Sequence, residues 1–314
     1  MGAAAAPGSA GPVTSAGAAG AAGAAGAASV LLNGLLDDAS LFPPGNLPMP
    51  AAAAAHVRHE TAWFSELTGP FVCPETRLDE LGRALTVAAT PWIDLSVVVT
   101  GGAPAVAAAT DAVARDPRLR LRAVEVPAAR GVAPAAAVAE VTAALDAVPL
   151  AGATGYIEIP LPALADPTAA GPLLEATDGH GYRPKLRTGG TVAEAFPDEV
   201  TLAACLVAVA GRRIPFKCTA GLHHAVRHTA ADTGFEHHGF LNVLLATGAA
   251  AAGAEAGEVA GLLAQRDPGR VAAAVKALDE DAAGQIRWLF TSFGTCSVDE
   301  PVADLVSLGL LSRP

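Results

Sequence analysis

An α/β barrel of the (β/α)8, TIM-type class is the fold this sequence predicts, and three observations predict it. From about residue 71 onward, short apolar runs of strand length alternate with Ala-, Leu- and Val-rich stretches of helical length, the pattern of a parallel sheet covered by helices. Within the runs one parity is apolar, while the other carries Glu, Lys, Arg and Thr, as expected of strands whose faces meet different surroundings. The chain of 314 residues, less a low-complexity start, is also close to the roughly 250 residues that one such barrel takes.

Residues 1–29 are almost wholly Ala, Gly, Ser and Pro. With no basic residue ahead of them and no Leu-rich core, they read as a disordered tail and not as a secretory signal. Residues 30–314 read as one domain. Val30 to Ala39 and Pro50 to Leu67 have helical character, the second opening on proline and placing His56, His59 and Glu60 on an exposed face. Between them Leu41-Phe42-Pro43-Pro44-Gly45 is a rigid turn. Strands are then expected at Phe71–Cys73, Leu95–Thr100, Leu121–Val126, Tyr156–Ile159, Lys185–Thr188, Ile214–Thr219 and Phe290–Cys296. Helices follow the first six, among them Leu78–Val87, Ala105–Arg115 and Ala136–Val148. Seven strands leave a closed barrel one short. The segment from Phe240 to Leu289 reads mostly as helix, including Glu258–Gln265 and Val271–Leu278, so either the barrel is incomplete or Leu241–Ala246 is the eighth strand.

Composition narrows the function classes. A formal charge of −11 and a pI near 5.1 argue against nucleic acid or an anionic membrane as partner, since both need a basic field. A small-molecule substrate is the expected partner, and a homo-oligomer is compatible with everything in the sequence. Cys73, Cys205, Cys218 and Cys296 are far apart without CxxC spacing, which fits reduced thiols in a cytoplasmic protein. No stretch outside the Ala/Gly-rich start reaches the roughly 18–20 apolar residues of a membrane span.

The chain uses seventeen arginines but three lysines, and two of these, Lys185 and Lys217, lie in apolar strand runs. A lysine kept where arginine is the habitual cation points to chemistry arginine cannot do, such as losing a proton near neutral pH. The parity that carries Lys185 and Lys217 also carries Glu125, Glu158, Arg187 and Thr219, which places all six inside the barrel near its carboxyl end, where catalytic groups of this fold collect. Lys185 and Lys217 are each followed four residues later by glycine, Gly189 and Gly221. On neighbouring strands about 4.8 Å apart, the two ammonium groups would repel by roughly 3 kcal/mol, about two pKa units before compensation by the glutamates. That would bring Lys217 toward the neutral amine that attacks a carbonyl. The roles expected are Lys217 as iminium-forming nucleophile, Lys185 as the neighbour that depresses its pKa, Arg187 as anion holder, and Glu158 with His223 or His224 as proton carriers.

Five of the eight histidines fall in one window: His223, His224, His228, His237 and His238. His238 and Asn242, one turn apart, are expected beside the substrate. The turns Gly189-Gly190-Thr191 and Gly294-Thr295-Cys296-Ser297 are candidate anion sites, with Cys296 at the cleft but reading as a structural thiol more than a nucleophile. The iminium route needs no cofactor. An alternative has His223, His224, His237 and His238 holding a divalent metal such as zinc for hydrolysis or isomerisation. A third reading is a non-catalytic ligand-binding or scaffold protein whose polar interior is only a structural network.

The run Phe216-Lys217-Cys218-Thr219-Ala220-Gly221-Leu222 resembles the Schiff-base strand of deoxyribose-phosphate aldolases over some seven residues. That resemblance implies Lys217 as the iminium lysine of an aldolase-like lyase or dehydratase acting on an anionic carbonyl compound, with Lys185 an analogue of the second lysine. The order departs from the family, whose second lysine follows the Schiff-base lysine. The paired histidines after Lys217 are also foreign to the pattern. Taken together, Leu41-Phe42-Pro43-Pro44, Lys185-Leu-Arg-Thr-Gly-Gly190, the Lys217 run through His223-His224, and His238-Gly-Phe-Leu-Asn242 resemble an uncharacterised bacterial family of barrel-like proteins, which implies no activity.

Overall fold

The computed structural model describes residues 26–88 and 90–313; the tail expected over 1–29 lies outside these up to residue 25, and residues 26–29 belong to the first helix. In chain order the elements are α1 (26–32), β1 (Leu36–Asp38), α2 (Met49–His59), β2 (Thr68–Pro74), α3 (Leu78–Val87), β3 (Ile93–Val98), α4 (Val106–Ala114), β4 (Leu119–Pro127), α5 (Pro134–Asp146) and β5 (Thr154–Glu158). They continue with α6 (Leu161–Ala165), α7 (Pro167–Asp178), β6 (Arg183–Arg187), α8 (Glu199–Ala210), β7 (Phe216–Thr219), the short β8 (His228–Thr229) and β9 (Glu236–His237), α9 (Phe240–Ala251), α10 (Ala256–Ala264), α11 (Pro268–Lys276), α12 (Glu280–Leu289), β10 (Phe290–Thr295) and α13 (Asp299–Ser307).

Eight strands close a parallel barrel in the order β1-β2-β3-β4-β5-β6-β7-β10, with β10 returning to β1. All seven expected strands are present, and the eighth is β1, within the segment expected to be helical. Leu36 to Asp38 pairs with β10 on one side and β2 on the other, so closure supplies the backbone partners that a three-residue strand cannot provide alone. Leu241–Ala246 lies in helix α9, which is apolar on nearly every face because neighbouring helices and the barrel surround it. Aspartates cap α7, α8, α11 and α12, each accepting a backbone N–H of the first turn.

Strand parity holds in the structure. Val124, Val126, Ile157, Leu186, Phe216 and Cys218 are fully buried and belong to the apolar core. The alternate positions turn Ser96, Glu125, Tyr156, Lys185, Lys217 and Ser292 into the barrel, where they meet one another. Among the described residues no helix is long and apolar enough to cross a membrane, and all four cysteines are free thiols.

Candidate active site

Lys185 and Lys217 are direct register partners on β6 and β7, and Glu125 from β4 lies between them. Its Oε1 accepts from Lys217 at 2.5 Å and its Oε2 from Lys185 at 2.8 Å. Lys217 also donates to Asp37 Oδ2 of β1 at 2.5 Å, and Lys185 to Glu158 Oε2 at 3.1 Å. Arg187 closes the chain on Glu158 with two contacts, 2.7 Å from Nε and 3.2 Å from its second nitrogen. Three carboxylates therefore face three cations. Remaining acceptor capacity is filled by hydroxyls: Ser96 donates to Glu125 Oε1 at 2.6 Å and Ser292 to Asp37 Oδ2 at 2.8 Å. The Lys217 ammonium stands 5.3 Å from the centre of the Tyr156 ring.

This arrangement reverses the expected electrostatics of Lys217. Burial pulls its ammonium toward neutrality, but Asp37 and Glu125 outweigh that and hold it above the ordinary lysine value. Lysine–lysine repulsion does not govern, because Glu125 binds both groups. Asp37 goes the other way from most carboxylates here: burial raises it, and Lys217 only partly offsets the rise. The contacts of Glu158 disfavour the proton-carrying role expected of it. Burial pushes its carboxyl up, yet Lys185 and Arg187 bring it down to about 2 and occupy both its oxygens.

Above the network opens a cleft of about 680 Å³ at the carboxyl ends of the strands. Lys217, Glu125, Arg187, Thr219, Gly190, His223, His224 and Cys296 line it, whereas Lys185 and Glu158 stand behind its wall. The turn Phe42-Pro43-Pro44 forms one side, and Phe196 and Phe235 another. Gly189 and Gly221 explain why both lysine strands end as they do. A Cβ on Gly189 would sit 2.6 Å from Gly221 Cα, and Gly221 is itself left-handed at φ +78°. The two turns pack backbone against backbone, and Thr188 Oγ1 ties them by donating to Ala220 O at 2.6 Å. Gly189→Ala should push these turns apart and cost about 1–3 kcal/mol, by analogy with overpacked cores; a denaturation midpoint equal to wild type would contradict the close packing.

The histidines do not lie on a helix. They sit on the loop after β7 and on the β8–β9 hairpin, where His228 and His237 are cross-strand partners. Their Nδ1 atoms are engaged by the protein: His228 with Val226 O at 3.2 Å, His237 with Gly221 O at 3.2 Å, and His224 with Asp304 at 3.1 Å. His223 Nδ1 meets Cys296 Sγ at 3.5 Å and Glu300 at 3.6 Å, so Cys296 does have an imidazole beside it. Burial pushes the Cys296 thiol up to about 11. His238 and Asn242 are not at the cleft. His238 is buried between Pro197 O at 2.8 Å and Arg227 at 3.3 Å. Asn242 clamps the loop to the helical layer, accepting from Arg227 N and donating to Leu262 O and Gln265 O. Of the four histidines expected as a metal set, His238 thus stands apart, and among the described residues no group of three or more His, Cys, Asp or Glu side chains is arranged to hold a metal ion.

Burial brings His223 and His238 down to about 4 from 6.5, and lowers His228 and His237 as well. A base whose native pKa lies below its unfolded value binds protons more readily when unfolded. Its contribution to stability is therefore complete above pH 6.5 and is lost as the pH falls toward 4. Thermal melts should show Tm falling across that window, with a shallower slope in His238→Gln; a flat wild-type profile would contradict this placement.

Sequence reading missed Asp37, Ser96, Ser292 and the aromatic wall of Phe196 and Phe235. It also placed His56 and His59 on an exposed face, whereas both turn inward to Asp38 Oδ2, at 3.2 and 3.1 Å. An acidic pair inside the apolar run Leu35-Leu36-Asp37-Asp38-Ala39 was the available signal, because buried carboxylates need built partners. A closed parallel barrel with ionisable groups at its carboxyl end is a common enzyme framework. No protein-family model matches the chain, and a search of curated proteins finds no relative.

Proposed function

We propose that the protein is a small-molecule enzyme of the Schiff-base type, a lyase or dehydratase acting on a carbonyl compound, with Lys217 as nucleophile. The observation that carries this reading is the position of Lys217: the residue lines the cleft, and its Nζ is bound to two carboxylates, one of which, Asp37, is raised by burial. The resting ammonium must lose a proton before it attacks. Asp37 is the acceptor in contact with it, and Glu125 keeps the amine aimed while balancing Lys185. The freed amine adds to the carbonyl carbon, the oxygen leaves as water after protonation, and an iminium remains, into which electrons of a neighbouring bond can flow. His223 and His237, which line the cleft and are held neutral by burial, would take and return protons on the substrate. Lys185 is a positioning residue, since it does not reach the cleft. The likeness of the Lys217 strand to aldolases supports the same assignment.

The test is incubation with a panel of aldehydes and keto compounds followed by borohydride and intact mass. A covalent increment equal to the carbonyl compound less water plus two hydrogens, placed on Lys217 by peptide mass, supports the reading. Absence of an increment across the panel counts against it and favours the polar interior as a purely structural network.

A further inference from the structure

The cleft also restricts what the carbonyl compound can be, an inference that rests on the Schiff-base reading. We infer that the substrate is an uncharged carbonyl compound bearing a flat apolar group, and not a phosphate- or carboxylate-bearing one as the aldolase likeness implies.

Several features of the cleft point this way. Its full cations, Lys217 and Arg187, are both paired with carboxylates, Arg187 through two contacts with Glu158 that use two of its three guanidinium nitrogens. Glu125, Asp232 and Glu300 also line it, so three carboxylates face two cations in its wall. An added anion meets net negative charge, in a chain whose overall charge is −11. His223, His228 and His237 add no positive charge near neutral pH, because burial and their mutual proximity disfavour the imidazolium.

The two turns expected to hold an anion are already used. Gly189 is packed on Gly221, and its turn leads only into a three-residue 3₁₀ segment, Ala193–Ala195. The turn after β10 leads into α13, whose first turn carries its own carboxylates, Asp299 and Glu300. Those side chains occupy the favourable field that a phosphate would seek. What the cleft offers instead is aromatic surface. Phe196 lies 5.6 Å from Phe235 and 4.4 Å from the His237 ring, and Phe42 stands on the turn after β1. A volume of about 680 Å³ is in the range of roughly 300–1,000 Å³ that takes ligands well beyond triose size.

Borohydride trapping with matched pairs tests this. Cinnamaldehyde is compared with its ring carboxylate, and glyceraldehyde with its phosphate ester, each read by peptide mass at Lys217 relative to exposed Lys276, which corrects for intrinsic reactivity. In each pair the neutral member should label Lys217 at least about tenfold faster, as one unit of charge repulsion across a partly screened cleft predicts. Cinnamaldehyde should lead the panel, and Phe196→Ala should reduce its lead over glyceraldehyde severalfold. An anionic member that matches or exceeds its neutral twin overturns the inference while leaving the Schiff-base reading standing. An unchanged lead in Phe196→Ala overturns the assignment of the aromatic wall. No labelling of Lys217 by any member removes the reading itself, and the inference with it.

Discussion

Glu125→Gln is expected to destabilise the barrel by about 3–5 kcal/mol, the usual cost of removing one partner from a buried ion network. Among the described residues, Glu125 is the only group that binds both interior ammoniums, one oxygen to each. After its loss Lys185 depends on Glu158, which Arg187 already shares, and Lys217 depends on Asp37 alone. Three cations then face two carboxylates in a space where Lys185, Lys217 and Asp37 are at most 3 % exposed. For a domain of this size the loss corresponds to a Tm drop on the order of 10 °C. The effect has a defined pH dependence. Burial favours the neutral Glu125 acid, but Lys185 and Lys217 hold its pKa well below 4.5, so its contribution is complete above that pH and is lost below it. The gap between wild type and Glu125→Gln should therefore narrow in acid. Equal stabilities at pH 7, or a gap that widens below 4.5, would show that Glu125 does not hold the network together.

Lys217→Arg is expected to reduce adduct formation to the background set by Lys276 while keeping a cation between Asp37 and Glu125. The pH dependence of labelling then identifies the proton acceptor. If Asp37 takes the proton from Lys217, the transfer stays within the protein and no proton is exchanged with solvent before attack. Labelling of Lys217 should accordingly change little between pH 6 and 9. Asp37→Asn removes that acceptor, so the proton must go to solvent, and labelling should rise with pH. A wild-type rate that already climbs about tenfold per pH unit, the dependence expected of a free-amine population in equilibrium with solvent, would assign deprotonation to solvent and leave Asp37 only an electrostatic role.

Much of this architecture was legible because burial imposes simple patterns. Alternation in Leu121–Val126, Tyr156–Ile159 and Ile214–Thr219 separated the apolar outer face from the charged interior before any contact was visible, and the pairing Lys185↔Lys217 follows from that parity on adjacent strands. What failed to show was whatever depends on closure. β1 has three residues, too few for a period, and its Leu-Leu-Asp-Asp context reads as helix; it is a strand because β2 and β10 both pair with it. With β1 went Asp37, and with Asp37 the sign of the Lys217 shift. Helix α9 was ambiguous for the opposite reason: burial on nearly every face erases the amphipathic stripe that separates helix from strand. The histidines cluster in sequence, but His228 and His237 face each other across a hairpin, and His238 and Asn242 are drawn away from the cleft by backbone carbonyls no local pattern announces.

The most direct measurement is the site of a borohydride-trapped adduct, because the sequence holds only three lysines to tell apart, Lys185, Lys217 and Lys276. Peptide mass spectrometry after labelling with a neutral aldehyde should place the modification on Lys217 at substoichiometric reagent, with Lys185 unmodified behind the cleft wall and Lys276 modified only in excess. Modification of Lys276 alone, with Lys217 intact in folded protein, would contradict the account.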